Sequence, residues 1–277
     1  MFYLILAILS SALVSIMMRV SEGRVKNNIS LLSVNYVICL LLACGHMGIG
    51  NILTGGEGLG TAVGLGSING FFYIASFVLF QYNVKKNGVV LSAVFMKLGI
   101  LVPTLISIFI FHEMPKLAQL IGLFIAVVAI ILVNFEKGTT NVTFKLGLPL
   151  VLLGSGFADG MSKIFEELGS IEFEEQFLVY TFIIAFVLSI ILVKYKRQKF
   201  AKEELFYGVL LGIPNYYSAR FLLKALGEIA AVVVYPTYSV ATIAVVSLVG
   251  VAIFKEKFSK RQILAIIIIA ISLALLN

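Results

Sequence analysis

"FHEMPKLAQLIG" (residues 111–122) and "FKEKFSKRQILA" (residues 254–265) align without a gap, so that Phe111, Glu113 and Gln119 fall on Phe254, Glu256 and Gln262. The two stretches stand 143 residues apart in a chain of 277. The beginnings of the two halves match as well, at an offset of 144: Leu9, Ser11, Met17, Arg19 and Glu22 meet Leu153, Ser155, Met161, Lys163 and Glu166. Between these ends, Gly66 and Asn69 meet Gly212 and Asn215. One unit written twice sets the fold.

Composition says what the unit is made of. With 60% hydrophobic and 13% charged residues and a mean hydropathy of +1.07, the chain lies far outside the soluble range. A helix needs roughly 17–25 apolar residues to cross a bilayer. Stretches of that kind recur at about 3–20, 31–49, 64–82, 89–111, 117–135, 146–166, 177–193, 205–225, 230–254 and 261–276. The linkers are short and polar and leave no room for a water-soluble domain. No small-residue cleavage site follows the first span, so it is expected to stay. The expected fold is therefore an all-α integral membrane protein with ten transmembrane helices in two five-helix repeats, residues 1–137 and 138–277. An odd number of crossings turns the second repeat upside down, and inverted repeats are characteristic of secondary transporters.

A net charge of +7 raises nucleic acid as a partner, and its placement excludes that reading. Loops after odd-numbered spans hold sixteen Lys and Arg residues, from Arg19, Arg24 and Lys26 to Lys257, Lys260 and Arg261, while loops after even-numbered spans hold Lys116 and Lys224. Basic loops are cytoplasmic, so both termini of this cell-membrane protein are expected outside. Cys39 and Cys44 share one apolar span without clustered histidines, which reads as core packing rather than a disulfide framework or a zinc site. "TGGEGLGTAVGLG" (54–66) lacks the Gly-Lys-Ser/Thr ending of a phosphate loop. No metal or cofactor is expected.

Ten short-looped spans, Glu113 and Glu256 before the last helix of each half, and Pro103 ten residues before the first of them together resemble the drug/metabolite transporter superfamily, specifically the EamA-type proteins of two five-helix repeats. The resemblance covers the whole chain and implies a transporter without specifying its cargo. Two features depart from it. Relatives are expected to keep both termini in the cytoplasm, and the second half has Val246 where a proline is expected.

Several apolar spans carry polar stripes. Ser155, Asp159, Ser162, Lys163 and Glu166 follow helical spacing and share one face, and Ser11, Ser15, Arg19 and Glu22 repeat the pattern in the first span. Such faces avoid lipid. Asp159 and Lys163 are read as a proton or ion-pair site, with mutual neutralisation four residues apart as the plain alternative. Arg19, Glu22 and Glu166 are read as gate elements, or simply as wet helix ends. In "NYYSARFLLK" (215–224), Asn215, Tyr216 and Arg220 are candidate substrate contacts, as is Asn69. Lys224 stands near the boundary, where its ammonium snorkels. "YPTYS" (235–239) adds Tyr235 and Tyr238, whose aromatic faces end in hydroxyls. His46 and His112 sit near helix ends as surface residues.

Lys97 is the sharpest feature. It stands nine residues from Gly88, about 13 Å along a helix axis, which is too deep for comfortable snorkelling across a core of about 30 Å. Asp159 or a substrate anion is its expected partner. The leading expectation is a secondary transporter moving a small polar metabolite with a carboxylate or phosphate by alternating access, as monomer or homodimer. The alternative is a proton-coupled exporter of cationic or aromatic compounds, with protons or a counter-substrate as further partners. A membrane enzyme would need converging nucleophile, base or metal ligands, and a scaffold would have no use for buried polar stripes.

Overall fold

The computed structural model describes residues 1–48, 55–134, 146–255 and 260–277. Their regular elements are all helical: α1 (Phe2–Ser21), α2 (Asn28–Met47), α3 (Leu59–Asn87), α4 (Val89–Leu98), α5 (Leu101–Phe109), α6 (Leu117–Asn134), α7 (Gly147–Leu168), α8 (Glu174–Tyr195), α9 (Lys202–Leu226), α10 (Ala231–Ala252) and α11 (Lys260–Leu276), with a 3-10 turn at Ile171–Phe173. Among the described residues, six stretches are long and apolar enough to cross a membrane: Phe2–Ser21, Asn28–Met47, Leu59–Asn87, Leu91–Phe109, Ile171–Tyr195 and Ala231–Ala252. On α1, Phe2, Ile5, Leu9 and Leu13 are exposed at spacings of three and four, while Leu4, Ala7, Ile8 and Ala12 are buried. An apolar face left outward suits lipid. Glu256, Lys137, Lys145 and Lys257 lie outside the described residues.

Each expected span meets a helix, and the fourth, 89–111, holds one stretch able to cross, Leu91–Phe109, with a turn inside it. It is two helices, broken after Leu98 and resumed at Leu101. Pro103 has no N–H to give the Gly99 carbonyl, which accepts from Val102 N–H at 2.9 Å instead, while Gly99 N–H reaches Met96 O at 3.2 Å. Three-residue bonds replace four-residue ones and tighten the turn. Val246 keeps its N–H, and α10 runs unbroken even though it also carries Pro236.

The described residues form two compact units, Met1–Ile74 with Ile164–Gly227, and Ala75–Lys163 with Glu228–Asn277. Each takes helices from both halves of the sequence.

In the first unit α2 packs on α8 and α9, and α9 also on α1. Glycines explain the close seams. A Cβ at Gly208 would stand 2.5 Å from Val34 Cβ, and one at Gly212 would stand 2.6 Å from Ile38 Cβ. Likewise, a Cβ at Gly66 would fall 2.6 Å from the Phe177 carbonyl oxygen and one at Gly70 2.9 Å from Ile184 Cβ. Small residues four apart let backbones touch, so α9 lies on α2 as α3 lies on α8. Each seam also carries an asparagine. Asn215 donates to Asn35 Oδ1 at 3.2 Å, and Asn69 to Thr181 Oγ1 at 3.4 Å.

The start of α2 is capped from elsewhere in the chain. Its own N-cap, Asn27, makes no side-chain cap bond. Gln198 Oε1 accepts from Ile29 and Ser30 N–H at 3.1 and 3.2 Å, and Glu204 Oε1 accepts from Lys26 and Asn27 N–H at 3.1 and 3.0 Å. Glu204 Oε2 takes Ala201 N–H at 3.0 Å, the half of a capping box that an alanine N-cap allows. Burial of this carboxyl, which is 1% exposed, works to raise its pKa. The N–H donors of Asn27, Lys26 and Ala201 outweigh burial and hold it below the ordinary value. A folded-state pKa below the unfolded one, about 4.3, contributes stability above that pH and loses it as pH falls through the folded value. Glu204→Gln should therefore melt lower than the parent at neutral pH, by an amount of the order of 3 kcal/mol, and the two curves should converge on acidification. Parallel melting curves from neutral to acidic pH would discard this account.

In the second unit α6 packs on α11, and α10 on α5, α6 and α11. Ser272 Oγ donates to the Gly122 carbonyl at 2.8 Å. The matching FHE and FKE segments carry the same backbone irregularity. His112 has φ 56° and Lys255 φ 54°, two residues beyond equivalent turns in which Ile110 N–H bonds Ile106 O and Ile253 N–H bonds Val249 O, both at 2.9 Å. The left-handed region is uncommon for residues with a Cβ. Its recurrence marks both ends as the same device.

Candidate functional site

The expected site residues fall into two sets, one in each unit. The second unit holds Lys97, Asp159, Lys163, Tyr235 and Tyr238. Lys97 is in the last turn of α4, immediately before the break. Ser155 Oγ donates to Met96 O at 3.0 Å and ties α7 to that break, and a Cβ at Gly99 would lie 2.9 Å from Gly156 N. One turn after Ser155, on the same face of α7, stands Asp159, whose backbone carbonyl accepts from Tyr235 Oη of α10 at 2.9 Å. The break, the glycine contact and the tyrosine thus fix Lys97 and Asp159 from three helices.

Both side chains are half-buried, and each acts on the charge of the other. Among the described residues, neither the Lys97 ammonium nor the Asp159 carboxylate has a hydrogen bond or an ion pair. Two opposite charges therefore share one region without touching.

Lys163 takes a different partner from the intrahelical one its spacing offers. Its Nζ lies 2.8 Å from Glu113 Oε1 and 5.7 Å from the centre of the Phe111 ring. The other Glu113 oxygen accepts Val232 N–H, in the first turn of α10, at 3.1 Å. A carboxylate at a helix N-terminus is favourably placed, so Glu113 serves α10 and Lys163 at once. Tyr238 is half-buried on α10.

In the first unit Arg220 Nε donates to Glu175 Oε1 at 2.6 Å, and Tyr216 Oη to Glu175 Oε2 at 2.9 Å. Asn69 is 1% exposed and packed within its seam. Asn215 lies in the matching seam, where its amide also reaches Cys39 Sγ at 3.6 Å, and Cys39 is buried as expected. Arg19 and Glu22 are exposed at the end of α1, and Glu166 is half-buried on α7. Sequence reasoning missed Glu175, Glu204 and Gln198, and knew Glu113 only as a repeat marker. The signal available for Glu113 was a lone acid bordering an apolar span, and for Glu175 the last of three acids, Glu172, Glu174 and Glu175, before one, each of which asks for a cation. No group of three or more His, Cys, Asp or Glu side chains suited to a metal occurs among the described residues.

Comparisons place this architecture among known proteins. An uncharacterised protein of Haemophilus influenzae (strain ATCC 51907 / DSM 11121 / KW20 / Rd) is 27% identical over 197 residues, 69% of this chain and 67% of its own. A solved crystal structure, 14% identical, covers 99% of this chain and 94% of its own with a TM-score of 0.76, which shows that the fold has been seen before. Residues 147–277 match the EamA-like transporter family. That match covers the second half of this multi-pass membrane chain, which is similar there to the EamA-like transporters.

Proposed function

We propose that the chain is a secondary transporter that moves a small polar metabolite with a carboxylate or phosphate group by alternating access, through ten crossings arranged as two inverted five-helix repeats. The observation that carries the reading is Lys97. An ammonium held beside a helix break, without an ion pair among the described residues, is expensive to keep in a membrane unless a ligand meets it. Broken helices are where secondary transporters hold their cargo. Counterflow in proteoliposomes across a panel of carboxylates, phosphates and organic cations tests this: saturable exchange of anionic solutes alone supports it, and saturable exchange of cations alone overturns it. The second reading, a proton-coupled exporter of cations, draws on Asp159, whose carboxylate is equally without an ion pair among the described residues.

The loop charges support a reading with both termini outside. Cysteine labelling in intact cells tests this on a Cys44→Ser background, since Cys39 is buried and Cys44 only half so. Glu172 and Lys199 are exposed and suit the reporter positions. A cysteine at 172 should react with an impermeant reagent and one at 199 should not. The opposite pattern reverses the orientation.

A further inference from the structure

We propose that the end of the first unit where α1 turns into α2 and α8 into α9 is a docking surface for an anionic phospholipid, with the headgroup on a basic cluster and the acyl chains on the outward faces of α8 and α9. It does not depend on what the chain carries. Four helix ends come together there: α1 ends at Ser21, α2 begins at Asn28, α8 ends at Tyr195 and α9 begins at Lys202. The two connections are tied to each other. Gln198 and Glu204 accept N–H groups at and just before the start of α2, and the Arg24 guanidinium donates to the Tyr207 hydroxyl of α9. Gln198 reaches α2 because the chain turns sharply at Arg197, which has φ 52°, with Gln198 N–H closing on Val193 O at 3.0 Å.

That turn leaves Lys196, Arg197, Lys199 and Lys202 exposed, and the facing loop adds exposed Lys26. Among the described residues none of these five makes an ion pair. Glu204, the acid built into the junction, is buried and has both oxygens engaged by N–H donors. Glu22 and Glu203 are exposed at the same end and leave the balance positive. Basic loops alone would only orient the chain in the membrane. The apolar faces beside them point to a lipid. Val187, Ile191 and Tyr195 are exposed four residues apart and share one face of α8, and Tyr195, 82% exposed, stands between Lys194 and Lys196. On α9, Phe206, Val209 and Ile213 are exposed at spacings of three and four, beginning one turn after Lys202. Each stripe is apolar along the span and ends among lysines. Aromatic rings with polar tips sit at headgroup level, and basic clusters bordering a span attract anionic headgroups. A choline headgroup would bring its own cation toward the lysines, and a soluble phosphate would leave both apolar stripes uncovered. Phosphatidylglycerol, with an uncompensated phosphate, fits both parts.

Native mass spectrometry of the full-length chain in detergent, titrated with phosphatidylglycerol or phosphatidylcholine, tests this. Phosphatidylglycerol should bind about tenfold or more tightly than phosphatidylcholine. Joint substitution of Lys196→Gln, Lys199→Gln and Lys202→Gln should weaken phosphatidylglycerol on the order of 100-fold, about fivefold per lysine, and leave phosphatidylcholine unchanged. A control with Lys85→Gln, Lys86→Gln and Lys116→Gln removes the same charge from exposed positions of the second unit and should keep the parent's affinity. Unchanged phosphatidylcholine binding shows that the first variant is folded. A large excess of sn-glycerol 3-phosphate should not displace the lipid. Equal binding of the two lipids, or an equal loss in the two triple variants, overturns the proposal in favour of undirected surface charge. Displacement by glycerol 3-phosphate overturns it in favour of a site for soluble anions.

Discussion

Glu113→Ala should destabilise the protein by about 3–5 kcal/mol, the cost of breaking a buried ion pair from one side. Lys163 is 3% exposed and Glu113 15%, so water can replace the lost carboxylate only poorly. The same substitution removes the acceptor for Val232 N–H, a helix-terminal donor with no partner within its own helix. Glu113→Gln keeps an acceptor for that N–H and should lose less. Lys163→Met should be milder again, because it deletes the desolvated charge rather than stranding it and a methionine fills similar space. Melting temperatures in one detergent rank the three. If Glu113→Ala melts within about 1 kcal/mol of the parent, surrounding groups must already balance Lys163, and Glu113 is no more than a cap for α10. The location adds a consequence for motion. Glu113 follows the left-handed residue that ends the α5 segment, so its carboxylate fastens that segment to both α7 and α10. A variant that loosens this point should also shift the population of transporter conformations.

How far the sequence foretold these contacts depended on their reach along the chain. Helices were legible because a bilayer demands long apolar runs, and the two glycine pairs were legible as packing surfaces because nothing but close approach explains small residues at that spacing. His112 and Lys255 align in sequence and recur as the same backbone irregularity. The break at Gly99 was missed although Pro103 was in view. A proline's effect depends on what re-satisfies the freed carbonyl: the Gly99 oxygen takes Val102 N–H within the turn, and Ser155 of α7, 59 positions from Met96, bonds the Met96 carbonyl beside it. Ion pairs were harder still. Spacing of four made Asp159 the visible partner of Lys163, whereas the contact runs to Glu113, 50 positions away. Arg220 likewise finds Glu175 across 45 positions. Periodicity reports which residues share a helix face, and which face meets which is decided by packing of the whole chain.

Lys97→Met is the substitution with the largest expected effect on function. Transport should collapse, since the anionic group of the substrate would enter a desolvated site without its partner at a cost of roughly 3–5 kcal/mol. Stability should not follow. No described group makes an ion pair with Lys97, and a methionine removes an expensive charge while filling similar volume. The melting temperature is therefore expected to hold or rise. A structural role predicts the opposite. If Lys97 serves only to neutralise Asp159 through their mutual field, the single variant strands a carboxylate and melts lower, and Lys97→Met with Asp159→Asn restores the loss. The sign of one melting shift thus separates the two roles, and the double variant guards the comparison. A transporter that keeps its stability and loses its flux in both variants uses these charges on its cargo, whereas one whose stability falls and is repaired has been holding its own helices together with them.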